Sequence, residues 1–122
     1  MANRIFNVRD GNVEVSTGRQ IEWTGRVLGV SALAAFPLPG SEDGIVVLDW
    51  MDRPTGLEAW HPYRNLVRIT STGKIVWRAE LPQGEMSFTE AHWEGGLLAF
   101  GWEHRCRLDP ETGLVIEAIF TK

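Results

Sequence analysis

Residues 65–77 read NLVRITSTGKIVW, and this pattern decides the fold. Ser71-Thr72-Gly73 suits a three-residue hairpin loop, a type I turn whose last residue takes the left-handed backbone that glycine adopts without a Cβ clash. If Thr70 closes the loop against Lys74, Ile69 falls opposite Ile75, Arg68 opposite Val76, Val67 opposite Trp77 and Leu66 opposite Arg78. One face then carries Val67, Ile69, Ile75, Trp77 and Ala79. The other carries Arg68, Lys74 and Arg78 beside Leu66 and Val76, the period-two alternation of a half-buried antiparallel ribbon.

The same unit recurs on both sides. In NVEVSTGRQIEW (12–23), a Ser16-Thr17-Gly18 loop between Val15 and Arg19 predicts Val13 opposite Ile21 on an apolar face and Glu14 opposite Gln20 on a polar one. In RCRLDPETGLVIEAIF (105–120), Pro110 stands where a type I turn favours it, but the Asp109–Gly113 loop leaves the register open by one residue. The preferred register places Cys106, Leu108, Ile116, Ala118 and Phe120 on one face and Arg107 opposite Glu117 on the other. The later two hairpins follow apolar runs bounded by glycine, GIVVLDW (44–50) and GLLAFGW (96–102). Runs so short read as interior strands covered on both faces, not as helices. The expectation is a single all-β domain over residues 1–122, built of repeated antiparallel hairpins. Its units form propeller-like blades in an incomplete ring or, alternatively, a β-sandwich.

The run LVRITSTGKIVWRAEL (66–81) resembles one blade of the quinoprotein-type (PQQ-like) propellers. Residues 44–50, 65–82 and 96–122 together are similar to a group of small bacterial proteins of unassigned function. The matching residues are Val46 to Asp49, Gly73 to Trp77, Leu81-Pro82, Leu108 to Gly113 and Phe120 to Lys122. The likeness departs at Trp102-Glu103-His104, where a glycine-bearing turn is expected. It implies fold more than function, because one fold hosts unrelated activities. The quinone cofactor of complete propellers sits on the ring axis, so its residues do not carry over and no cofactor is expected. A chain of this length makes at most three blades, too few to close a ring, which motivates an expected monomer or homodimer.

Composition bounds the function. Twelve Lys and Arg against 16 Asp and Glu leave a net charge of −4 with no basic stripe, which disfavours nucleic acid. The N-terminal MANRIFNVRDGNVEV has no apolar h-region, and no stretch is long enough to span a bilayer, so a soluble, cytoplasmic protein without a membrane partner is expected. The lone Cys106 agrees with a reducing compartment.

No catalytic spacing is evident, and the expectation is a non-enzyme. His92, His104 and Cys106 are zinc-binding types without the spacing of a zinc site, so no metal is expected. Cys106 with His92 or His104 as base has no accompanying oxyanion motif. Glu80, Glu85, Glu90, Glu94 and Glu103 could supply paired carboxylates, but nothing sets their separation, and they read as solvated edge residues. Of six tryptophans, Trp23, Trp50, Trp77 and Trp102 fall at strand ends and are expected to pack.

The exception is residues 51–64, MDRPTGLEAWHPYR, an insertion between an inner strand and its hairpin. It mixes aromatic anchors with charges: Trp60, His61 and Tyr63 with Arg53, Arg64 and Asp52. Such loops serve recognition or fold back as a lid over a sheet edge. The expected function is a protein-interaction module contacting another protein through Trp60, His61, Tyr63, Arg53 and Arg64, in the manner of an immunity or antitoxin-type protein. The alternative is a carbohydrate binder or small hydrolase using Trp93, His92 and Glu94.

Overall fold

The structure is a computed structural model that describes residues 3–121. Its strands are β1 (Arg4–Arg9), β2 (Asn12–Thr17), β3 (Gln20–Gly25), β4 (Ala32–Pro37), β5 (Gly44–Leu48), β6 (Leu66–Ile69), β7 (Ile75–Arg78), β8 (Phe88–Trp93), β9 (Leu97–Gly101), β10 (His104–Leu108) and β11 (Val115–Phe120). They form three antiparallel sheets in the orders β1-β2-β3, β4-β5-β6-β7 and β11-β10-β9-β8. The chain is all-β, as the repeated hairpins require.

The hairpin turns explain the registers. Around Ser71-Thr72-Gly73, the Thr70 N–H donates to the Lys74 carbonyl at 2.8 Å and the Gly73 N–H to the Thr70 carbonyl at 3.0 Å. Gly73 has φ 83, as expected for the closing position. Ile69 does face Ile75, but a bulge between Arg68 and Ile69 then sets Arg68 opposite Trp77 and Val67 opposite Arg78. A one-residue slip flips side chains between faces. Trp77 and Ala79 therefore share a core with Leu66, whereas Val67 and Ile69 lie in the other one.

In the first copy the expected register is replaced. The loop is the two-residue Gly18-Arg19, with Gly18 at φ 58, so Ser16 faces Ile21 and Val15 faces Trp23. The earlier strand β1 enters through an Asp10-Gly11 turn, both residues at positive φ (50 and 80). Asp-Gly is the preferred chemistry for a two-residue hairpin. In the third copy Cys106 faces Ala118 and Arg107 faces Glu117 as expected, with a bulge that moves Leu108 from Ile116 to Val115.

The sheets stack in three layers. One apolar cluster joins Phe6, Val13 and Val15 of the first sheet to Val46, Leu48, Val67 and Ile69 of the second. The other joins Ile45, Val47, Leu66 and Trp77 to Phe88, Leu97, Ala99, Cys106 and Leu108 of the third. All five residues of β5 are buried, because alternate side chains serve opposite cores. Each Val, Leu or Ile buried this way contributes about 1.5–3 kcal/mol.

Polar ties fix the layers. Asn65, fully buried, donates to the carbonyls of Leu48 (2.7 Å) and Phe88 (2.8 Å) and accepts the Phe88 N–H (2.7 Å). It stitches the second sheet to the third. Arg68 donates to Asp43 (2.8 Å) and to the Pro110 carbonyl (2.7 Å), which also accepts the Trp77 indole N–H (2.8 Å). The β10–β11 turn is thereby docked onto the middle sheet.

Candidate functional site

The 51–64 segment owes its order to local hydrogen bonds. Its start is pinned to β4's approach: the Ser31 N–H donates to Asp52 at 2.8 Å, and the Asp49 N–H donates to the Ser31 carbonyl at 2.9 Å. Turns follow at Pro54 to Leu57 (3.1 Å) and Glu58 to His61 (3.1 Å). The Arg53 guanidinium donates to the carbonyls of Glu58 and His61, each at 2.8 Å, and sits 5.7 Å from the Tyr63 ring centroid. Arg53 is therefore the clamp of the loop, with its donors directed inward.

The sequence-predicted residues divide accordingly. Trp60 stands 70 % exposed, with the His61 ring 3.9 Å away at a 42° tilt. Tyr63 is fully buried in the core against the first sheet, its N–H donating to the Met86 carbonyl at 2.7 Å. Its hydroxyl has no hydrogen-bond partner. Burial pushes the Tyr63 phenol up to about 12, with Asp52 and Asp49 adding to the rise and Arg78 and Arg53 partly offsetting it. Arg64 donates to the Ala79 carbonyl at 3.1 Å and to the Arg78 carbonyl. Tyr63 folds back as a lid would, whereas Trp60 does not. The loop presents Trp60 and His61 from a backbone held by Arg53, Tyr63 and Arg64.

Trp93 and His92 do not share a face. His92 and Trp93 are successive residues of β8, whose side chains leave opposite faces of the sheet. His92 lies 3.4 Å from Glu90 and edge-on to Phe100 at 5.6 Å. Glu94 follows the strand, where its N–H donates to the Gly96 carbonyl at 2.9 Å. Cys106 is in the core, and burial, reinforced by the Glu85 charge, pushes its thiol up to about 11. A thiol so placed is a packing group, not a nucleophile. Among the described residues, no group of three or more His, Cys, Asp or Glu could hold a metal ion. No helix among them is long and apolar enough to cross a membrane.

Glu85 is not a solvated edge residue. Its side chain is 1 % exposed and accepts the N–H groups of Trp102 (2.9 Å) and Glu103 (2.8 Å) and the Nδ1 of His104 (2.9 Å). Burial pushes its pKa up, but the hydrogen bonds from Glu103, His104 and Trp102 outweigh it and hold the carboxyl below its ordinary value. This carboxylate closes the Trp102-Glu103-His104 corner in place of the expected glycine turn. Gly101 is required beside it, since a Cβ there would lie 2.5 Å from the carboxylate. Trp102 itself donates its indole N–H to Ser87 (3.2 Å) and meets Trp50 edge-on at 5.6 Å.

Beside the loop runs a ridge, residues 80–83, with a groove on each flank. One, of 610 Å³, is lined by Pro62, Arg64, Gly84 and Leu114. The other, of 410 Å³, is lined by Leu81, Pro82, His104, Ala118 and Phe120. Pro62 directly follows His61, so the exposed loop tip and the ridge border one another. Neither a known family model nor a curated protein matches the chain.

Proposed function

We propose that this chain is a non-enzymatic, cytoplasmic protein-binding module whose principal contact is the Trp60–His61 tip of the 51–64 loop. The observation that carries this reading is a tryptophan left 70 % exposed on a loop whose backbone is clamped by Arg53. Holding a large apolar ring in water is unfavourable, and holding it on an ordered loop reduces the entropy lost on binding. Preorganised exposed tryptophans are typical centres of interface binding energy.

The test is capture of the tagged protein's partners from lysate of its source, beside a Trp60→Ala, His61→Ala variant. Covering an indole contributes roughly 2 kcal/mol or more, so a partner held by the wild type should bind the variant about 30-fold more weakly. Both proteins should melt together, because neither side chain is in the core. An identical set of co-eluting proteins for the two would refute the reading. Tyr63 is left intact in this design, since its removal would perturb the core as well as the surface.

A further inference from the structure

We infer that the groove between the 80–83 ridge and β11 receives an extended segment of a partner protein, alternating apolar and basic residues, which adds to β11 as a further strand. This rests on the reading of the chain as a protein-binding module and names the form of partner it takes. β11 is an edge strand of its sheet. The Thr121 N–H donates to the Glu103 carbonyl at 2.8 Å. Antiparallel residues alternate in which neighbour they bond, so Ile119 faces β10 and the N–H and C=O groups of Ala118 and Phe120 face the open edge.

Over residues 118–121 that edge lacks the usual protection. Natural edge strands carry charges, prolines or bulges; here the bulge at Ile116 guards one end, and residues 118–121 read AIFT. Ile119 is 42 % and Phe120 60 % exposed. A strand laid beside them would satisfy the open backbone groups, and its alternate side chains would lie against Ala118 and Phe120 over the groove.

Charge selects the sign of the occupant. Among the described residues lining this groove, Glu80 is the carboxylate, and neither lysine nor arginine is present. Glu117 leaves the other face of β11, opposite Arg107, and Glu103 does not line the groove, so Glu80 sets the groove's charge. His104 presents its ring to the groove with Nδ1 already bound to Glu85. Basic side chains laid over the groove are complementary to Glu80 while the alternating apolar ones meet Ile119 on the other face, and acidic ones are repelled.

The experiment measures fluorescence anisotropy of a labelled octapeptide of alternating lysine and valine, against one of alternating glutamate and valine. The lysine peptide should bind, with the glutamate peptide at least tenfold weaker. Ala118→Pro removes a donor that faces the open edge, not β10, and should weaken binding at least tenfold. Phe120→Ser, an exposed position, should also weaken it if the proline perturbs folding. Glu80→Gln, which keeps an acceptor for the Val115 N–H, should weaken it severalfold.

No binding of the lysine peptide, equal binding of the two peptides, or affinity unchanged in both Ala118→Pro and Phe120→Ser would overturn the inference. A dimer that Ala118→Pro converts to monomer would assign the edge to a second copy and overturn it as well. Peptide affinity reads the β11 edge and lysate capture with the loop variant reads the 51–64 tip, so failure here and failure of the loop reading are told apart.

Discussion

Replacing Asn65 should unfasten the second sheet from the third. Its amide donates to two buried carbonyls and accepts one buried N–H, all within 2.7–2.8 Å. In Asn65→Ala those three backbone groups lose their partner, at about 1–3 kcal/mol each. Taking the low end, because neighbours relax and water partly replaces the amide, the loss is about 3–4 kcal/mol. That is a large share of the roughly 5–15 kcal/mol that holds a domain together. With a urea slope of about 1.5 kcal/mol/M, the unfolding midpoint should fall by about 2 M. Asn65→Asp separates the donors from the shape: it keeps the acceptor for Phe88 but turns a carboxylate toward two carbonyl oxygens. It should be at least as damaging at neutral pH and recover partly in acid. A loss under about 1 kcal/mol for Asn65→Ala, measured by urea titration followed by tryptophan fluorescence, would refute this account of the inter-sheet tie.

Three other outcomes follow from buried groups. Tyr63→Phe deletes a hydroxyl that has no partner and should stabilise the fold by about 1–2 kcal/mol, read as a higher melting temperature; a lower one would mean the hydroxyl is satisfied. Glu85, held below the ordinary carboxylate value of 4.5, contributes stability that is fully present above that pH and is lost as pH falls through its lower folded-state value. Denaturation midpoints across acid pH should show this loss in the wild type and a shallower one in Glu85→Gln. Gly113→Ala places a Cβ at φ 76 and 2.6 Å from the Trp77 ring, and should cost about 2 kcal/mol or more in a thermal melt.

The hairpins were legible because their signals are local. Gly73 and the Asp109–Gly113 turn declare themselves in a few residues, and the glycine-bounded apolar run of β5 tells of a strand with two covered faces. Asp10-Gly11 is an equally strong turn signal, and it points to β1. Bulges are not legible, because a slip of one residue leaves composition and nearly all of the alternation intact, so alternation alone puts Trp77 and Ile69 on one face although they serve two cores. β4 and β8 are illegible for a different reason: ALAAFP and FTEAHW lack the β-branched alternation that marks a strand, and their neighbours hold them in place.

For the candidate site, the 51–64 insertion stood out by length and aromatic content, but which aromatic faced outward depended on tertiary contacts. Tyr63 goes inward because it lies beside Asn65 at the root of the loop, and Arg53 spends its charge on carbonyls five and eight residues away. Asn65 and Glu85 carry no periodicity at all. Their importance arises from backbone groups of Leu48, Phe88, Trp102 and Glu103, which the fold alone brings to them.

The first sheet contains one register shift of one residue, at Val15/Ser16, and each of the others two, at Ala32/Ala34 and Arg68/Ile69 and at Phe88/Glu90 and Arg107/Leu108. These offsets work as slack in the weave. A ladder of perfect alternation transmits any insertion along the whole strand and exchanges inside for outside, whereas a ladder with a stored extra residue can absorb or release one locally. Turn length and core composition are thereby uncoupled, and the hairpins can differ at their tips, two residues in one and more in another, while the same stacked interior is kept.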